Sequence, residues 1–76
     1  MIEIVDVRTT PGAVHFVVKY DVDGEEHKET FSFLVSDLRD RNEEEIKEMI
    51  RKCVEQRREQ ISGELLKKFK GLKIEG

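Results

Sequence analysis

The chain lacks most of the devices that pin small domains together. Its one cysteine, Cys53, leaves no internal disulfide and no cysteine-based zinc site. It has one proline, no repeats and no low-complexity linker. No apolar run approaches the roughly 18 residues of a membrane span. Met1 leads straight into Ile2-Glu3-Ile4-Val5-Asp6, with neither the basic n-region nor the apolar h-region of a secretory leader. The five glycines are isolated, and none has the spacing of a phosphate-binding loop. These absences set the expectation of a soluble cytoplasmic protein in a reducing compartment, with no cofactor, no metal and no membrane contact.

With 76 residues, the expected organisation is one domain, residues 1–76. A domain this small buries only about 60% of its unfolded surface, so stability must come from a tight core, ion pairs or association. Charged residues make up 41% of the chain, a composition compatible with the surface ion-pair networks of thermophile proteins. The charge is uneven. Residues 1–38 carry three basic and eight acidic residues, a net −5, and residues 39–76 carry eleven and nine, a net +2. The overall −3 disfavours generic binding to a phosphate backbone.

The first half reads as antiparallel strands, residues 1–35. Thr10-Pro11-Gly12-Ala13 is a turn signal, with proline pre-setting one central position and glycine permitting positive φ at the next. Val14, Phe16, Val18, Tyr20 and Val22 alternate on one face, and Phe31, Phe33 and Val35 alternate after the Asp23-Gly24 hairpin turn. A two-residue turn there pairs Val22 with Glu25, Tyr20 with His27, Val18 with Glu29, Phe16 with Phe31 and Val14 with Phe33. This register puts both apolar sets on one face, whereas a one-residue slip would separate them. In the first strand the alternation changes phase between Ile4 and Val5. Either a bulge absorbs the change, or both sheet faces are partly covered and Ile4 lies beside Val17 on the outer face.

The second half reads as helix. Asn42-Glu43-Glu44-Glu45 is a capping box, and its three carboxylates suit the positive end of a helix dipole. Ile46, Met49, Ile50, Cys53, Val54 and Ile61 recur at helical spacing over a main helix, 42–61. Leu65, Leu66, Phe69 and Leu72 lie about a quarter-turn away from that stripe, which predicts a kink or break near Gly63 and a short amphipathic segment, 64–72. The expected fold is α+β, β-β-β-α, with two consecutive hairpins forming a three-stranded sheet packed on one C-terminal helix. Its core would pack Phe16, Phe31, Val14 and Phe33 against Ile46, Ile50 and Cys53.

No catalytic constellation emerges. His15 and His27 fall on opposite sheet faces and cannot share a metal within one chain. Cys53 reads as a small core residue, with no His-Asp or Ser-Lys arrangement to activate it. The expected class is therefore a small non-enzymatic interaction or structural accessory module, of the kind that phage and archaeal genomes encode. Its expected partner is another protein or a second copy, in a homodimer burying Ile4, Val17, Leu34, Leu65, Leu66, Phe69 and Leu72. The alternative is a DNA-binding module that reads through the sheet, with Lys19, Lys28, Lys67, Lys68 and Lys70 as contacts. Arg57 stands in the apolar stripe, and Glu29 on the core-side face, where hydrophobes are expected. Either Arg57 snorkels, its stem on the core and its head in water, or it forms a buried ion pair with Glu29, with Glu3 as the other possible partner.

Overall fold

The computed structural model describes residues 1–75. Three strands, β1 (Ile2–Thr10), β2 (Ala13–Val22) and β3 (Glu25–Leu34), form one antiparallel sheet in the order β1-β2-β3. A single helical turn, α1 (Val35–Leu38), leads into one long helix, α2 (Glu43–Lys67). The class is α+β with the element order β-β-β-α, the short α1 preceding the long helix.

Local chemistry accounts for each joint. Gly12 takes φ 81° in the first turn, and Asp23 and Gly24 take φ 50° and 84° in the second, the two positive angles that a type I′ hairpin turn requires. The β2–β3 register runs Val22–Glu25, Tyr20–His27, Val18–Glu29, Phe16–Phe31 and Val14–Phe33, as turn and alternation together dictate. Asn42 Oδ1 accepts from the Glu45 backbone N–H at 2.9 Å, and Glu45 reaches back to the Asn42 N–H at 3.5 Å, completing the capping box. Glu43 pairs with Lys47 at 3.3 Å, while Glu48 pairs with Arg51 one turn on and not with Lys52.

The phase change in β1 is a bulge. The register shifts between Ile4 and Asp6, so that Ile4 faces Val18, Asp6 faces Val17 and Val7 faces Phe16. Val5 is the extra residue, and it lets Ile2, Ile4 and Val7 all point to the helix side. Ile4 therefore does not lie beside Val17 on the outer face.

Among the described residues six are buried: Phe16, Val18, Tyr20 and Val22 from the middle strand, and Ile50 and Val54 from α2. Phe31, Phe33, Val14 and Ile46 pack around them half-buried, and Cys53 is likewise only half-buried. The core thus centres on Val18, Ile50 and Val54, one helical step away from a Phe31–Cys53 centre. One helix about 10 Å wide cannot roof three strands spaced almost 5 Å apart. It covers β2 and leaves Ile4 and Val7 on β1 41% and 51% exposed.

The helix also runs unbroken through Ser62 and Gly63, so the expected break near Gly63 is absent. A glycine inside a helix costs only about 1 kcal/mol relative to alanine, too little to stop one already under way. The quarter-turn phase shift instead leaves Leu65, Leu66, Phe69 and Leu72 outside the core, each 45% exposed or more. After Lys67 the chain tightens into i→i+3 hydrogen bonds, including Phe69 N–H to Leu66 at 3.1 Å, and turns at Gly71 with φ 86°.

The energetic centre can be located by truncation. Ile50→Ala should lower stability by about 2–5 kcal/mol, and Phe31→Ala by clearly less, because Phe31 keeps part of its ring in water. Chemical denaturation of both variants checks the ranking; an equal or larger loss at Phe31 would put the centre on β3.

Candidate functional site

The helix is fastened to the hairpin by a row of polar contacts at the β2–β3 end. Arg57 Nε lies 2.8 Å from Glu29 Oε1, and the Tyr20 hydroxyl donates to Glu29 Oε2 at 2.9 Å. Burial first, and then the bond to Glu29, hold the Tyr20 phenol above its ordinary value near 10. The Glu29 carboxylate, in turn, holds the Arg57 guanidinium above its usual range. Arg57 also donates to Gln60 at 2.8 Å. The side chains of Arg57 and Glu29 remain 47% and 28% exposed, so this pair lies at the flank of the core and is not buried.

Two further ties were not apparent from the sequence. Arg58 donates from Nε to the Asp21 carbonyl at 2.9 Å and from Nη2 to the Asp21 carboxylate at 3.3 Å, and Ser62 Oγ donates to Asp23 Oδ2 at 3.4 Å. Each places a helix residue against the turn end of the hairpin. The only clue in the sequence was their one-helical-turn spacing, 58 and 62, opposite an acidic tip.

Beyond this clamp the helix overhangs the sheet. Ile61 and Leu65 still border Val22, Asp23 and Glu25 in a groove of ≈ 280 Å³, which Glu64 and Lys68 complete. From Leu66 to Glu75 every residue is exposed. Of the expected interface residues, Leu65, Leu66, Phe69 and Leu72 come together on this overhang. Leu34 lies at the other end of β3, 58% exposed and paired with Ala13, and Val17 is half-buried among outer-face neighbours. Ile4 belongs to a different groove, of ≈ 330 Å³, between β1 and α2, lined by Ile2, Glu3, Ile50, Lys47 and Arg51. The seven residues therefore do not form one patch.

The outer sheet face is close to charge-balanced. Lys19 pairs with Glu26 at 2.7 Å and Arg8 with Asp6 at 3.1 Å, leaving Lys28 as the cation of that face without a carboxylate within 4 Å among the described residues. Lys19 and Lys28 face each other on the outer side of the sheet, whereas Lys68 lies with Ile61 and Leu65 on the helix side, so the lysines do not make one basic surface. His15 bridges Thr10 at 2.8 Å and Ser32 at 2.7 Å on the outer face. His27 stacks on Tyr20 on the core side, ring centroids 5.8 Å apart, with its enclosed Nε2 4.0 Å from Glu25. Among the described residues no three His, Cys, Asp or Glu side chains converge as metal ligands. Among the described residues no helix is long and apolar enough to cross a membrane.

Comparison of the chain with known protein families, with curated proteins and with solved structures finds no match. The functional reading therefore rests on the surface itself.

A double-mutant cycle on Arg57→Met and Glu29→Gln reports the character of the clamp. A flank pair should show a favourable coupling that shrinks steadily as salt is raised, since solvent-exposed pairs are screened. A coupling indifferent to salt would mean that the pair is desolvated.

Proposed function

We propose that this chain is a small non-catalytic interaction module that works as a self-associated unit, most simply a homodimer. The supporting observation is how much surface a single copy leaves uncovered. Its accessible area is 6224 Å², about 1,400 Å² more than the roughly 4,800 Å² that a compact monomer of 8.9 kDa exposes. Its radius of gyration is 16.5 Å, against about 11 Å for a compact chain of this length. A standard interface takes about 800 Å² from each partner, so the excess is large enough to supply one.

Part of the exposed surface is apolar: Leu66, Phe69 and Leu72 are 59–67% exposed along the overhang, and exposed apolar patches mark sites of association. A non-catalytic role fits two polar groups of side chains that are committed to one another: Arg57, Glu29 and Tyr20 form the clamp, and His15 joins Thr10 and Ser32. The half-buried free thiol of Cys53 suits a reducing, cytoplasmic setting. The charge balance of the outer sheet face favours a protein partner over nucleic acid.

Sedimentation equilibrium tests the reading. Wild type should show about twice the 8.9 kDa chain mass at micromolar concentration, and Phe69→Asp should return it to a monomer that keeps its β-sheet and helix signals. A wild type that stays monomeric, or one that binds duplex DNA with a steep inverse salt dependence, contradicts the proposal.

A further inference from the structure

The overhang and the groove beside it are complementary halves that the same chain cannot bring together. The groove has an apolar floor, Val22, Ile61 and Leu65, and a net acidic rim, in which Asp23, Glu25 and Glu64 outnumber the single cation Lys68. Asp23, Glu25 and Glu64 have no lysine or arginine within 4 Å among the described residues; Glu25 is approached only by the His27 ring at 4.0 Å. The overhang presents the opposite chemistry. Phe69 is 59% exposed and Leu72 65%, and the flanking Lys67, Lys68, Lys70 and Lys73 likewise have no carboxylate within 4 Å among the described residues. The hairpin's other acids are already matched, Asp21 by Arg58 and Glu26 by Lys19.

We propose that the occupant of the groove is the overhang of a second copy, the two chains crossing antiparallel so that each Phe69 enters the other's groove. This rests on the self-association proposed above and adds its geometry. Because α2 stops at Lys67 and the chain turns at Gly71, the two chains cross just past their helix ends. Phe69 of one copy thus enters the floor of Val22, Ile61 and Leu65 in the other, and Lys70 and Lys73 run along the acidic rim. The patch is its own complement, as a two-fold interface requires. A side-by-side parallel arrangement would instead stack lysine on lysine. The chain's own Phe69 stays in water because the tightened turns after Lys67 carry it past the groove.

The interface predicts a charge-reversal pair. One variant carries Lys70→Glu and Lys73→Glu; the other carries Glu25→Lys and Glu64→Lys. All four positions are exposed, so both variants should keep the wild-type circular dichroism. Each alone should self-associate at least about tenfold more weakly than wild type, because every contact then opposes like charges. An equimolar mixture should recover a heterodimer of near wild-type affinity, since both of its contacts are opposite in sign. Association of either variant alone at wild-type strength, or a mixture that stays monomeric, overturns this docking while a dimeric wild type leaves self-association standing. A monomeric wild type overturns both.

Discussion

One helix must cover three strands, and it cannot. The enclosed core is a single line of contact in which Phe16, Val18, Tyr20 and Val22 meet Ile50 and Val54. The rest of the molecule follows from that narrowness. β1 keeps Ile4 and Val7 partly in water, the aromatic pair Phe16 and Phe33 meets edge-on at the margin with centroids 5.9 Å apart, and polar residues close the flanks. A domain of this size has a stability of only several kcal/mol, so contacts outside the core line carry weight.

Placement of the helix on its line comes from the Arg57–Glu29–Tyr20 group together with Arg58 and Ser62 on the hairpin tip. These contacts share the same end of the sheet, which is also where the helix leaves it. They set how far the overhang projects and which way its apolar residues face. The 59 Å length of the molecule, against 20 Å in the other two directions, is the outcome. A shape so extended offers a second copy more surface than a globule would, and the proposed association draws on that surface and on no special motif.

The sheet could be read in the sequence because two independent signals agreed on it. Asp23-Gly24 demands a two-residue turn, and Phe16, Phe31, Val14 and Phe33 share a face in only one register. The capping box at Asn42 was legible for the same reason, since it is a local arrangement of side chain and backbone. The β1 bulge was legible only as one of two choices, because the Ile4–Val5 phase change does not say which face Ile4 keeps. The phase shift after Ile61 misled in the other direction: it suggested a break near Gly63, yet the helix continues and only its apolar stripe departs from the sheet. The ties from Arg58 and Ser62 depend on how far the helix slides along β2, which no local pattern records. For the same reason Arg57 and Glu29 could be matched as opposite charges on facing elements, while the sequence left open whether the Arg57 head is buried or in water.

The account stands on the claim that the apolar overhang is covered by another copy of the chain. An isotope-filtered NOE spectrum of a mixed labelled and unlabelled sample observes that contact directly. The account predicts interchain cross-peaks from the Phe69 ring to the methyl groups of Ile61, Leu65 and Val22. A dimeric sample in which Phe69 shows no interchain cross-peak to any of these residues would contradict it.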